Sequence, residues 1–120
     1  GYLNDVVDVS HVDGTFDDTL RPNQLLAVGG LPFAALKGEK ARRVVDVVER
    51  RLWTPLGMRT LSDDHPDYHP SYGGGVRERD GAYHQGTAWP WLMGAFVEAW
   101  LATREKSLGV VEEARRRFVE

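Results

Sequence analysis

The stretch WPWLMGAFVEAWL, residues 89–101, determines the predicted fold more than any other part of the chain. Large apolar side chains recur in it at the three- and four-residue spacing that aligns them on one face of an α-helix. They are Trp89, Leu92, Met93, Phe96, Val97, Trp100 and Leu101. We therefore predict a buried helix over residues 88–104, with this apolar stripe in the core.

Three further segments are also predicted to be helical. Residues 39–53 place four apolar side chains on one stripe, with arginines and glutamates opposite. Residues 108–119 follow Ser107, whose hydroxyl suits the N-cap of a helix. Residues 21–36 form the weakest candidate: Pro22 suits a first turn, but Gly29 and Gly30 either kink the helix or let another helix approach closely.

Between these helices lies a stretch that is unsuited to regular structure. Residues 54–87 contain three prolines and three consecutive glycines, and we expect a long ordered loop there. Loops of this length in compact domains are more often functional than idle. The predicted fold class is therefore all-α, with four helices in two antiparallel pairs.

Composition restricts the possible functions. The chain has 120 residues, a formal net charge of -3 and no cysteine. It carries no basic stripe of the kind that nucleic-acid binding needs and no apolar run long enough for a membrane span. We expect a cytoplasmic protein with neither nucleic-acid nor membrane partners. Because the chain opens within a patterned segment and without an initiator methionine, we also expect it to be part of a longer protein.

No cofactor or metal site is predicted. The histidines lack the spacing of metal ligands on a helix, and no phosphate-binding glycine loop or serine-hydrolase motif is present. The histidines are His11, His65, His69 and His84.

Residues 79–91, RDGAYHQGTAWPW, concentrate the groups that suit sugar chemistry. Asp80 is a candidate general base that activates water, and Arg79 either keeps Asp80 ionised or binds a sugar hydroxyl. An ordinary surface ion pair between the two is the structural alternative. His84 and Gln85 offer hydrogen-bond donors and acceptors for hydroxyls, although a lone histidine is often structural.

The aromatic side chains of the same segment also allow two interpretations. Tyr83, Trp89 and Trp91 can each present a flat apolar face to a pyranose ring. Trp89 falls on the inward helical stripe and is expected to pack in the core, whereas Trp91 falls off that stripe. Trp91 is therefore the better candidate for a sugar contact.

A second polar group stands at the predicted start of the first helix. Arg21, Asn23 and Gln24 are either capping residues or ligand-binding residues. The nearby acids Asp5 and Asp8 do not by themselves indicate a function.

Three motifs, in this order along the chain, carry a resemblance to a known family. They are RPNQ at 21–24, TPLGMRTL at 54–61 and RDGAYHQGTAWPW at 79–91. The chain resembles the C-terminal amylo-α-1,6-glucosidase domain of bacterial and archaeal glycogen-debranching enzymes. The resemblance implies that residues 1–120 form about the last two helical hairpins of an (α/α)6 toroid.

The resemblance also implies an activity. Family members hydrolyse the α-1,6-linked glucose at a glycogen branch point and invert the anomeric carbon. The implied general acid lies before residue 1, so the isolated chain is expected to be inactive. Asp80 is the implied base, with Asp8 or another loop acid as alternatives. The residues implied to line the sugar pocket are Arg21, Asn23, Gln24, Arg79, His84, Gln85 and Trp91.

Two other functions remain open on the sequence alone. One is a non-enzymatic helical module that binds oligosaccharide or protein through the aromatic loop. The other is a different six-hairpin glycosidase, such as a relative of glucoamylase. In the isolated chain, apolar helix faces that lack their neighbours are expected to favour self-association.

Overall fold

The computed structural model describes all residues, 1–120, and has a mixed α/β fold. The α-helices are α1 (Gly38–Leu52), α2 (Val76–Ala82), α3 (Met93–Ala102) and α4 (Leu108–Phe118). Short 3-10 helices cover Val9–His11, Pro22–Ala27 and Pro90–Leu92. No helix combines the length and the apolar character that crossing a membrane requires.

The strands form two small antiparallel sheets. In the first, β1 (Val6–Val7) pairs with β2 (Phe16–Asp17). In the second, β4 (Gly57–Arg59) lies between β3 (Trp53–Thr54) and β5 (Ala88–Trp89). This second sheet holds the TPLGMRTL segment directly beside the TAWPW segment, which are about thirty residues apart in sequence.

The predicted all-α fold class is wrong because the chain contains these two sheets. Each strand has only two or three residues, too few to show the alternation by which a strand is recognised. The predicted loop 54–87 also contains β4 and the helix α2. The glycines at 73–75 precede α2 and do not interrupt it.

The two amphipathic helices are predicted well. The prediction at 39–53 corresponds to α1, and the prediction at 108–119 corresponds to α4. The Ser107 hydroxyl accepts a hydrogen bond from the Val110 N–H, at 3.3 Å, and so caps α4 as expected.

The other two predicted helices are only partly present. The segment 21–36 contains a 3-10 helix that ends at Ala27, and no α-helix. The segment 88–104 begins as β5 and a 3-10 turn, so that α3 starts only at Met93. Most of the predicted stripe faces the core: Leu92, Phe96 and Trp100 are buried, and Met93, Val97 and Leu101 pack against them half-buried. The prediction is wrong for Trp89, which lies in β5 and packs against Tyr72 and Tyr83 instead.

Two glycines let the 21–36 segment lie directly against α3. A Cβ on Gly29 would stand 2.6 Å from the backbone nitrogen of Ala99, and a Cβ on Gly30 would stand 2.6 Å from the Ala95 side chain. Of the two interpretations of these glycines, the close approach of another helix is therefore confirmed. It packs Leu25 and Val28 into the same core as α1 and α3.

A polar cluster ties the three long helices together at the edge of this core. Glu49 of α1 accepts hydrogen bonds from the Trp100 indole at 2.9 Å and from Arg104 at 3.3 Å, and it also pairs with Arg117 of α4. Arg104 pairs in addition with Asp46 at 2.7 Å and lies over the Trp100 ring. One carboxylate thus joins α1, α3 and α4.

Candidate functional site

The guanidinium of Arg21 connects segments that are far apart in sequence. Its Nη1 donates to the backbone carbonyls of Thr60, at 3.1 Å, and of His84. Its Nη2 donates to Oε1 of Gln85 at 3.1 Å, and its Nε lies 3.5 Å from Oδ2 of Asp5. All three motifs singled out in the sequence therefore meet at one half-buried side chain.

The RPNQ segment is shaped to present this side chain. Arg21 is extended, and Pro22 begins the 3-10 helix that follows it, since the fixed φ of proline suits a first helical turn. The Gln24 amide donates to the Arg21 carbonyl at 2.8 Å and accepts from the Leu3 N–H at 3.1 Å. Gln24 thus holds the N-terminal segment against the motif.

The turn that carries His84 and Gln85 is held by two buried threonines. The Thr60 hydroxyl accepts from the Gly86 N–H at 2.9 Å, and the Thr87 hydroxyl donates to the Ala82 carbonyl at 2.9 Å. Gly86 has a φ of +128°, and a Cβ there would stand 2.5 Å from the Tyr68 ring. Only glycine fits this position without displacing Tyr68.

A cleft of about 280 Å³ opens beside Arg21. Its lining is mainly polar and consists of Asp5, Arg21, Pro22, Asn23, Thr60, His84, Trp91 and Leu92. Trp91 lines this cleft and is 63% exposed, so its side chain is accessible to a ligand. A smaller cleft of about 180 Å³ shares Asp5, Arg21 and Asn23 with it.

A larger cavity, of about 580 Å³, lies elsewhere, at the junction of α3 and α4. It is lined mostly by apolar side chains such as Leu101 and Leu108, and none of the predicted site residues contributes to it. Chemistry requires convergent polar groups, so the smaller Arg21 cleft is the better candidate site.

The remaining aromatic side chains form a separate cluster. Trp89 donates its indole N–H to the Tyr83 carbonyl at 3.0 Å, and the two rings lie 4.7 Å apart. Tyr72 packs edge-on against both rings. Trp89 therefore serves packing, whereas Trp91 remains open to the cleft.

The family model described as amylo-alpha-1,6-glucosidase matches residues 1–120. The chain belongs to this family. The glycogen debranching enzyme of Saccharomyces cerevisiae is 36% identical to it over 89 residues, which represent 69% of this chain and 6% of the yeast protein. The chain thus matches only a small part of that relative. Membership supports a glycosidase type of function.

Within this glucosidase-family chain, Asp80 and Arg79 lie on α2, outside the residues that line the cleft. Asp80 is exposed. Arg79 donates to the Gly74 carbonyl at 2.8 Å and makes no ion pair with Asp80. Arg79 thus stabilises the glycine-rich entry to α2 and does not hold the Asp80 carboxylate.

The other predicted site residues divide into two groups. Arg21, Asn23, His84 and Trp91 line the 280 Å³ cleft together. Gln24 and Gln85 do not line it, but each is hydrogen-bonded to Arg21. No group of three or more His, Asp or Glu side chains is arranged to hold a metal ion.

Two polar residues that line the cleft, Thr60 and Asp5, are not among the predicted site residues. Thr60 lies within the TPLGMRTL motif, so motif membership was a usable signal for it. Asp5 lies outside all three motifs. Only the pairing of β1 with β2 and the contact with Arg21 bring Asp5 into the cleft.

Proposed function

We propose that this chain forms part of the sugar-binding site of an inverting amylo-α-1,6-glucosidase, which hydrolyses the α-1,6-linked glucose at glycogen branch points. The convergence of the three motifs on Arg21 supports the proposal most directly, because it builds a polar cleft from the residues that carry the resemblance. Family membership over the whole chain and the similarity to a glycogen debranching enzyme support the same reaction. The proposed partner is glycogen or another branched α-glucan, in the cytoplasm.

The proposed chemistry needs two carboxyl groups. Inverting glycosidases use a carboxylic acid that protonates the leaving oxygen and a carboxylate that activates water, about 6.5–9.5 Å apart. We propose Asp80 as the base, since its exposed carboxylate stands on α2 just before the turn that carries His84. The acid is proposed to lie outside this chain, so the isolated 120 residues should not turn over substrate.

The proposed sugar contacts follow from the chemistry of the side chains. Trp91 offers an apolar face for a pyranose ring, and His84 and Asn23 offer hydrogen bonds to hydroxyls. Gln24, Gln85 and Arg21 support these groups from behind through their mutual hydrogen bonds. Arg79 is proposed to act at the mouth of the same site, next to Asp80.

The test uses the full-length protein with a branched limit dextrin as substrate and with maltose and trehalose as controls. We expect α-1,6 hydrolysis with inversion, together with slow turnover of both controls. Preference for maltose or trehalose would assign the protein to another glycosidase. Binding of oligosaccharide without turnover of any of them would assign it to non-enzymatic binding modules.

Asp80→Asn tests the assignment of the base. Removing a proton acceptor while keeping its size should lower kcat by about 10²–10⁴-fold, with a smaller effect on KM. Glu78→Gln on the exposed face of the same helix is the matched control and should retain normal kcat. A near-normal kcat in Asp80→Asn would move the role to another acid, such as Asp8.

A further inference from the structure

Asp5 supplies the one carboxylate among the residues that line the 280 Å³ cleft, and it also lines the neighbouring cleft. Its side chain is only 19% exposed. Its backbone N–H donates to the Asp17 carbonyl at 2.8 Å, which extends the pairing of β1 with β2. The backbone beneath this carboxylate is therefore held by the small sheet.

The Asp5 carboxylate retains unused capacity to accept hydrogen bonds. Its Oδ1 accepts from the Asn23 amide at 3.3 Å, and its Oδ2 lies 3.5 Å from Nε of Arg21. An ionised carboxylate accepts about four hydrogen bonds, so about half of the capacity of this cleft-lining residue has no protein partner. These lone pairs suit hydroxyl donors.

Arg21, in contrast, has almost no capacity left for a ligand. Its guanidinium already contacts Asp5, the carbonyls of Thr60 and His84, and the Gln85 amide oxygen. A single N–H of the guanidinium is left without a protein partner, so the two-point contact by which arginine binds carboxylates and phosphates is blocked. The cleft contains a positive charge but offers no arginine fork to an anion.

We infer that Asp5 is a specificity-determining residue of the cleft: its carboxylate, held in place by Arg21, binds hydroxyl groups of a neutral sugar and disfavours anionic sugars. The assignment to a sugar rests on the proposed function. Arg21 is accordingly a positioning residue and not a direct sugar contact. A carboxylate with free lone pairs attracts donors and repels a second carboxylate.

Calorimetric titration of the full-length protein with three sugars tests this assignment. Glucose is the neutral ligand, and glucuronate replaces its C6 hydroxymethyl group by a carboxylate of similar size. Xylose lacks that group altogether and controls for the lost hydroxyl. We expect glucuronate to bind at least about tenfold more weakly than xylose. Equal or tighter binding of glucuronate would overturn the assignment.

Variants of Asp5 test the same point from the protein side. Asp5→Asn should weaken glucose binding about tenfold to a hundredfold, the usual loss for a hydrogen bond to a charged group. KM should rise more than kcat falls, and Asp5→Glu should recover part of the affinity. Asp13→Asn, an exposed position in the same N-terminal segment, is the matched control. Glucose affinity within about twofold of wild type in Asp5→Asn would reject the role.

The result does not depend on one variant or on catalysis. If circular dichroism shows that Asp5→Asn is unfolded, Asp5→Glu decides the assignment, because it moves the carboxylate and should bind glucose more weakly than wild type; wild-type glucose affinity in Asp5→Glu would then reject the role. Absence of α-1,6 hydrolysis together with the expected sugar preference would reject the proposed reaction and keep the role of Asp5. Normal hydrolysis with unchanged binding in Asp5→Asn would reject the role of Asp5 alone.

Discussion

The helical region and the cleft region of this chain are held together in different ways. The helices α1, α3 and α4 bury a continuous set of apolar side chains, with Phe96 and Val45 fully enclosed. The cleft region, in contrast, has short strands and loops that converge on the single polar side chain of Arg21. Apolar packing joins the helices over the whole core, whereas a hub with few hydrogen bonds holds the cleft segments locally through one residue.

Phe96→Ala should break the helical region and have the largest effect on stability. Phe96 is 0% exposed and stacks edge-on against Phe118, so its truncation leaves a cavity between α3 and α4. We expect the free energy of unfolding to fall by about 3–5 kcal/mol. Urea denaturation measures this change, and Phe33→Ala, at a position that is 87% exposed, is the control with almost no effect.

Arg21→Lys tests the hub of the cleft region, because it keeps the charge and removes the branched donor group. Lysine cannot reach the Thr60 carbonyl and the Gln85 amide at once, so the loss should be about 1.5–3 kcal/mol, the value for hydrogen bonds to a charged group. We expect the loss to be local. Hydrogen exchange should accelerate at the Gly86 amide and stay unchanged in α1, and equal acceleration in both would show that Arg21 serves the whole fold.

Gly29→Ala probes the contact between the two regions. Its new Cβ would stand 2.6 Å from the backbone of Ala99, and the resulting overpacking should cost about 1–3 kcal/mol. Gly94→Ala on α3 is the matched control, since a Cβ there meets nothing within 4 Å. In an open helical position alanine should stabilise by up to about 1 kcal/mol. Thermal unfolding should therefore shift in opposite directions for the two variants.

Ser107→Ala tests a purely local contribution within the helical region. The hydroxyl accepts from the Val110 N–H at the start of α4, and its loss should cost about 1 kcal/mol. Ser71→Ala, at an exposed position outside the helices, is the control. A loss in Ser107→Ala no greater than in the control would mean that apolar packing alone stabilises α4.

The smallest expected effect is a dependence on pH. The Ser62 hydroxyl, at 2.6 Å, and Arg51 donate to the Asp64 carboxylate and lower its pKa below the ordinary value of 3.8. A lowered pKa in the folded state stabilises that state above the ordinary pKa, and the contribution is lost as the pH falls through the lowered value. Urea midpoints below about pH 4 should therefore decline less steeply in Asp64→Asn than in wild type. Identical acid slopes in the two proteins would contradict the pairing.

The sequence predicts the helical region more accurately than the strands and loops of the cleft region. The bounds of α1 and α4 are predicted to within one residue, because their apolar stripes recur over three or more turns and Ser107 marks a start. The segment 21–36 was assigned to a helix because its residues are apolar, yet glycines and a proline restrict it to the 3-10 helix Pro22–Ala27. The sheets escaped prediction because two- and three-residue strands exist only through their partners.

Four features can be predicted from the order of residues: the family, the two amphipathic helices, the buried face of α3 and the motif residues around the cleft. These depend on residue identity and on spacing within short segments, which a linear pattern records. Three other features are visible only in the folded chain: the fold is mixed, Arg79 contacts Gly74 and not Asp80, and Asp5 joins the cleft. Those features depend on contacts between segments far apart in sequence, because a hydrogen bond or a strand pair forms only where folding brings its two partners together.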